Sequence, residues 1–344
     1  LFLSSGIDSV ALLAAIHAID PARAAKTTAV TLAFGEYAGT SSDETPLAAE
    51  MANAYGAHHV RRTVDESEFA GDLPEILEAM DQPSVDGVNT WFVSKCAAEA
   101  GLKVALSGVG GDELFGGYST FRAVPRWRAL LAVPSRVPGA SQSWEKIFGI
   151  LVRRGKVHPK FAGLLRHGRS WAGVYLLRRG LYLPNDLQAI LDRDVLERGL
   201  QRLGTFNHAE RCVANAPTAT IPRISMMEST LYMRNQLLRD ADWASMAHSL
   251  EVRTPLVDIE LLRRIRPYQA RLAGKGILAE ALGLPERIRM RPKTGFTTPV
   301  GTWMQNTVTA TSADSSPWAR RWARFVLAST PADASQTVAH DQVA

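Results

Sequence analysis

Over its first 120 residues the chain alternates short apolar runs with helical periods, and this alternation limits the fold more than any other feature. Leu1–Leu3 reads as the end of a buried strand. Ser9–Ile19 reads as an apolar helix ending at Asp20-Pro21, because the residue before proline is biased out of the α region. Thr28–Phe34 (TAVTLAF) has the near-continuous apolar, β-branched character of a strand buried on both faces. Thr45–Tyr55 is expected to be a helix stopped by Gly56, His58–Thr63 a short strand, Asn89–Ala100 a helix stopped by Gly101, and Lys103–Ser107 (KVALS) a further strand. Such alternation builds βαβ units, so the expected class is α/β, with a parallel sheet core over about residues 1–120 sandwiched by helices.

Past residue 120 the strand signals stop. Arg122–Arg202 is rich in Leu, Ala, Arg and Trp at helical spacing, and 205–290 continues helical, including a long run from Ser225 to Ser249. A large all-helical second half is therefore expected. Beyond about Asn306 the pattern fades, and a C-terminal helix followed by a mobile tail is expected over 306–344. With 46% apolar and 21% charged residues the chain can bury a core, which excludes a disordered protein. No apolar stretch approaches the roughly 20 residues that span a bilayer, so no membrane partner is expected. A net charge of +5 permits an anionic ligand without arguing for nucleic acid. Cys96 and Cys212 make neither a disulfide framework nor a four-ligand zinc site, so a cytoplasmic setting is expected. The opening Leu1-Phe2-Leu3 has neither an initiator Met nor a charged leader, and the chain is expected to be a domain cut at its first strand.

Two loops carry chemistry. Leu3-Ser4-Ser5-Gly6-Ile7-Asp8-Ser9 stands between a strand and a helix. Small residues there let backbone N–H groups close on an anion, and the new helix adds its N-terminal partial charge. The hydroxyls of Ser4, Ser5 and Ser9 can donate to phosphate oxygens, and Asp8 can hold a hard divalent cation. The Gly-Lys-Ser/Thr end of a Walker A loop is missing. Taken alone the segment would be a turn with a serine cap, but its place at the carboxyl end of the first strand is where α/β sheets bind ligands. The second loop, Ser107-Gly108-Val109-Gly110-Gly111-Asp112-Glu113-Leu114-Phe115-Gly116-Gly117-Tyr118, also follows a strand and carries five glycines. That density marks unusual dihedrals or close approach to a ligand. Asp112 is read as a candidate magnesium ligand with Asp8, facing a polyphosphate, and Glu113 as a capping or ion-pairing residue.

SSGIDS followed by SGVGGDELFGGY resembles the synthetase domain of the glutamine-hydrolysing asparagine synthetase family, within the PP-loop ATP pyrophosphatases. Two further blocks extend the likeness: Ser245–Arg253 (SMAHSLEVR) with Pro255 and Asp258, and Arg291-Pro292-Lys293-Thr294-Gly295-Phe296 with Pro299 and Trp303. Four blocks in the family's order span residues 3 to 303. The resemblance implies a PP-loop, adenine nucleotide alpha hydrolase-like fold with a five-stranded-type parallel sheet, and a synthetase domain over 1–305. It implies an ATP-dependent, AMP-forming ligase: a carboxylate, aspartate by default, is activated as an acyl-adenylate, and ammonia derived from glutamine displaces AMP. It places Ser4, Ser5, Gly6 and Ser9 on the departing pyrophosphate, and Asp8 and Asp112 on Mg²⁺. Phe2, Leu32, Ser107 and Gly108 fall at the adenine, and Lys293 at the charge on the reacting phosphate. Asp81 matches an Asp-x-Pro element, with an ordinary turn as the equal alternative. The family's glutaminase domain is absent from this chain, so ammonia is expected from an upstream or separate glutaminase, and a homodimer is compatible with the likeness.

Several residues depart or read differently. Val109 stands where asparagine synthetases carry an acidic residue that handles ammonia, which opens the alternative of another carboxylate: a sugar acid, a peptide or a small metabolite. Ser5 stands where glycine is usual. A PP-loop enzyme acting on tRNA and a non-catalytic ATP-binding scaffold are the further alternatives. Glu251, Arg253 and Asp258 are expected as a buried ion-pair network. His248 is expected as a core histidine, His58-His59 as no metal pair, and Arg122 to Arg179 as a solvated helical face.

Overall fold

In the computed structural model, residues 1–154, 157–188, 190–271, 274–291, 298–307 and 317–330 are described. The apolar run TAVTLAF forms strand β1 (Thr28–Phe34), buried at every position but its first. It pairs in parallel with β2 (His58–Val64), from Thr28 opposite His58 to Phe34 opposite Val64. A second parallel pair joins β3 (Val104–Leu106) to β4 (Glu251–Arg253). Leu1–Leu3 hydrogen-bonds to both pairs: the Leu3 N–H donates to Val30 O at 2.8 Å, and the Phe2 N–H donates to Leu106 O at 2.9 Å. A single parallel bridge, Phe2 to Val30, is all that this three-residue stub forms. Among the described residues the named strands thus form two two-stranded parallel sheets, with the Leu1–Leu3 stub hydrogen-bonded to both.

Strand β4 corrects the all-helical expectation for residues 205–290. Its three residues are too few to show a period, and two of them are polar and exposed. The Ser225–Ser249 run is helical up to Met246, but its middle, Glu228–Leu237, is π-helix between α-helices Thr220–Met227 and Leu238–Met246. Ser249 then turns with φ +52° into β4.

Helices cover both faces of β1. The two-residue period of a strand sends Val30, Leu32 and Phe34 into one core and Ala29 into another. The first core gathers Phe69, Trp91, Phe92, Trp243, Trp303 and Trp322. The second holds Leu1, Leu3, Val10 to Ala14 of the helix Ile7–Ile19, and Met51. Helix Glu66–Ala79, absent from the sequence expectation, is capped by Asp65, whose carboxylate accepts the Glu68 N–H at 2.9 Å.

The chain divides into two compact units: Leu1–Gly111 with Arg234–Leu262 and Lys275–Ala344, and Asp112–Met233 with Arg263–Gly274. The second is helical around its own core of Phe121, Val124, Tyr175, Ile224 and Met227. Both cysteines are buried and free. Among the described residues no helix is long and apolar enough to cross a membrane.

Candidate nucleotide site

In the first unit, helix Ile7–Ile19 starts directly after Gly6, and the serine loop folds onto itself ahead of it. Ser9 Oγ accepts the Ser4 N–H at 3.1 Å and lies 3.0 Å from Ser4 Oγ, which in turn accepts the Gly6 N–H at 3.1 Å. Ser5 is fully buried and donates to Glu44 Oε1 at 3.2 Å. Burial pushes the Glu44 carboxyl above its ordinary range, with the Ser5 hydrogen bond and Arg291 acting the other way. Ser4, Gly6 and Ser9 thus form one tight turn, and Ser5 is turned inward from it.

The glycines of the second loop press against this turn. A methyl group added at Gly108 would lie 2.9 Å from Asp8 Cβ and 3.1 Å from the Ser9 nitrogen, and one added at Gly111 would lie 2.2 Å from Asp8 Oδ1. Gly110 has φ +102° with the Leu256 backbone behind it, a conformation and a space that favour glycine. Ser107 is fixed to β4 through its N–H, which donates to Arg253 O at 2.8 Å. Phe2 packs against the core that contains Leu32. Phe2, Leu32, Ser107 and Gly108 therefore belong to the same end of the first unit as the serine turn.

Asp8 makes an ion pair with Lys275, and both side chains are largely buried. Lys275 was missed by sequence reasoning. Its signal was slight: a lysine between Gly274 and Gly276 that opens the short helix Gly276–Ala281. Lys293 lies outside the described residues.

Among the described residues no group of three or more His, Cys, Asp or Glu is arranged to hold a metal ion. A magnesium ion that keeps water and phosphate oxygens needs only one or two carboxylates. The hard oxygen donor of Asp8, flush against Gly111, suits that role.

Asp112 opens the second unit. Glu113 beside it is buried and accepts the Tyr118 hydroxyl at 2.9 Å. Burial, above all, holds its carboxyl up at about 7. Glu228, fully buried, is bonded by Thr120, by the Tyr175 hydroxyl at 3.0 Å, and by Arg179 at 2.9 Å. The Arg179 guanidinium lies 4.3 Å from the Tyr118 ring centroid and 3.9 Å from that of Tyr232. Arg179 therefore departs from the expected solvated arginine face, because its helix, Trp171–Arg179, turns it toward a buried carboxylate. A separate apolar cavity of about 320 Å³ in this unit, lined by residues such as Leu176, Leu183, Leu200 and Phe206, includes none of the motif residues.

The expected buried network at the third motif is also corrected. Arg253 and Glu251 pair at 2.9 Å but are 63% and 57% exposed, because both project to solvent from β4. Asp258 is exposed and accepts the Leu261 N–H at 2.8 Å. His248 packs edge-on against Trp91 at 4.3 Å, and burial lowers its pKa. Asp81 is exposed, 3.8 Å from Arg239. His59 lies 2.9 Å from the Thr31 hydroxyl.

The sequence profile of asparagine synthase matches residues 1–324. The chain belongs to the asparagine synthase family. It is 29% identical over 326 residues to a putative asparagine synthetase [glutamine-hydrolyzing] of Mycobacterium tuberculosis H37Rv, covering 88% of this chain and 45% of that protein. It is 26% identical over 360 residues to asparagine synthetase [glutamine-hydrolyzing] 1 of Bacillus subtilis 168, covering 97% of this chain and 50% of the relative. The chain thus spans about half the length of these asparagine synthase relatives.

Proposed function

We propose that this chain is the synthetase portion of an ATP-dependent, AMP-forming amide synthetase on a PP-loop fold. The observation that carries the reading is the closure of Gly108 and Gly111 on the Ser4–Ser9 turn, with Lys275 set against Asp8. An oxygen of the substrate carboxylate attacks the α-phosphorus of ATP and the bond to the β-phosphate oxygen breaks, releasing pyrophosphate. Ammonia or an amine then attacks the acyl carbon, loses a proton, and AMP leaves. The first step needs mainly placed positive charge and N–H donors at the phosphates.

Ser4, Ser5, Gly6 and Ser9 are the proposed pyrophosphate turn, supplying the Ser4 and Ser9 hydroxyls, the backbone of Ser5 and Gly6, and the N-terminal amides of helix Ile7–Ile19, while the Ser5 hydroxyl stays with Glu44. Lys275 adds a cation there, and Lys293 is assigned to the charge on the reacting phosphate. Phe2, Leu32, Ser107 and Gly108 are assigned to the adenine. Asp8 and Asp112 are the carboxylates assigned to Mg²⁺, which when bound neutralises phosphate charge.

Aspartate with glutamine-derived ammonia is the default pair, and a glutaminase, in the same protein or separate, would supply the ammonia. Val109 favours a second reading. Its aliphatic side chain can neither accept a proton nor hold ammonium, which supports a different carboxylate or an amine nucleophile.

The test is pyrophosphate and AMP release from ATP, with Mg²⁺ and a panel of carboxylates. AMP formation that depends on one carboxylate supports the assignment and names the substrate. ADP in place of AMP, or release unchanged in Asp8→Ala, would overturn it.

A further inference from the structure

Residues 114–185 carry thirteen Lys and Arg against one acidic residue, Glu145, in a chain whose whole net charge is only +5. The same stretch also exposes several aliphatic side chains close together in the sequence. Leu130, Val133, Val137, Ile147 and Ile150 are between 45% and 73% exposed. They lie in or beside consecutive elements of the second unit: helix Thr120–Leu131, the turn Pro134–Arg136, which Val133 and Val137 flank, and helix Ala140–Arg153.

Helix Ala140–Arg153 is the clearest part. None of its described side chains is buried. Trp144 and Phe148, four residues apart, tie one flank down: their rings stack at 4.1 Å, and Trp144 Nε1 donates to Phe161 O at 2.7 Å. The adjoining stripe runs Ser143, Ile147, Ile150, Arg154, at the spacing of one helical face, and stands in solvent with Lys146 beside it. Glu145 is taken up by Arg166 at 3.4 Å.

We propose that this face docks the protein on an anionic lipid surface. Ile147 and Ile150 enter the headgroup boundary, and Lys146 and Arg154 of this helix with Arg136 of the turn packed on it, all exposed, meet lipid phosphates. Among the described residues no helix is long and apolar enough to span a membrane, and surface attachment needs none. A second copy of the chain does not fit, since the face would meet its own positive charge. Nucleic acid would be served by free aromatic faces, whereas the exposed stripe of this helix is aliphatic and the exposed Phe161 ring beside it is stacked on Phe148. A protein partner is usually gripped by aromatic anchors in pockets, whereas these side chains stand proud. The proposal is independent of the reaction assigned above.

The test is co-sedimentation of the full chain, without ATP, with vesicles of phosphatidylcholine containing about one third phosphatidylglycerol and with pure phosphatidylcholine vesicles. Retention is expected on the anionic vesicles only, falling several-fold between 50 and 500 mM salt on the order expected for screened charges. Each basic side chain near the surface contributes roughly fivefold, so Arg136→Gln with Lys146→Gln should weaken binding about 25-fold. Ile147→Ser with Ile150→Ser should also release the protein while leaving its circular dichroism and melting temperature unchanged, since both side chains are exposed. Equal retention on neutral vesicles, or none on either, would overturn the proposal. So would RNA retention without vesicle binding, or a dimer dissolved by the isoleucine changes.

Discussion

Gly111→Ala tests the contact on which the site depends. The added methyl would sit 2.2 Å from Asp8 Oδ1 and 2.6 Å from its Cγ, and the next neighbour, Leu256 Cδ1, is at 3.1 Å. A Cβ contact below 3.0 Å is not sustained, so the loop and Asp8 must part by about 0.8 Å or more. Gly111 has no left-handed φ, so the backbone itself accepts alanine, and the local helix Gly111–Phe115 would gain up to about 1 kcal/mol in propensity. Overpacking costs on the order of 1–3 kcal/mol, so the net loss of stability should be modest. Catalysis is more sensitive, since a misplacement of about 1 Å costs roughly 100-fold. The expected result is therefore a fall of about 100-fold in kcat/KM for pyrophosphate release, with a melting temperature only a few degrees lower. Gly71→Ala is the control: it lies in helix Glu66–Ala79 with nothing within 4 Å of the added methyl. It should leave activity intact and raise stability by up to about 1 kcal/mol. Gly111→Ala with activity within threefold of the parent would refute the idea that the working enzyme closes this loop on Asp8.

Lys275→Met should lower pyrophosphate release by about 100-fold with a smaller effect on folding, checked by steady-state kinetics beside thermal melts. Arg179→Ala leaves Glu228 buried without its cation and should cost about 3–5 kcal/mol in urea unfolding, with Arg179→Ala/Glu228→Gln recovering part of the loss. His167 stacks on Phe206 at 4.6 Å, and burial, with Arg166 adding to it, lowers its pKa from 6.5 to about 4. The unfolded chain therefore binds the extra proton first, and stability is lost as pH falls from about 6.5 toward 4, by roughly 1–3 kcal/mol. His167→Gln should flatten that part of the stability–pH curve, and an unchanged slope would remove His167 as its cause.

What could be read from the chain followed the range of the physics involved. TAVTLAF is legible as a strand because burial on both faces demands an unbroken apolar run, and Gly56 and Gly101 are legible as helix stops because they take φ +75° and +77°. The serine turn was legible because it is local. Strand β4 was not, because its pairing with β3 and not its own composition makes it a strand. Helix Glu66–Ala79 was obscured by Gly71 and Pro74, which dilute helical propensity, although Asp65 with Glu68 three residues on is a capping signal. Lys275, flanked by two glycines, has only a slight local mark and the Arg179–Glu228 pair has none, since an ion pair across a long stretch of chain leaves no period to detect. A charge count also says nothing of which arginine a helix turns inward, which is why Arg179 was misplaced while Arg122 and Arg126 stayed in solvent as expected.

The ion pair between Asp8 and Lys275 also bears on how the protein is made. Its partners are 267 residues apart in the chain, and the β3–β4 pairing brings Ser107 to Arg253. Synthesis proceeds from the N-terminus, so the serine turn emerges long before the lysine and the strand that complete it. Contacts of such sequence separation form late and slowly. During that interval the nascent chain carries a half-built turn with a carboxylate that lacks its lysine, so it should hold phosphate poorly until Lys275 has been made. On the proposed reading, a truncated product that ends before Lys275 would compete weakly for ATP.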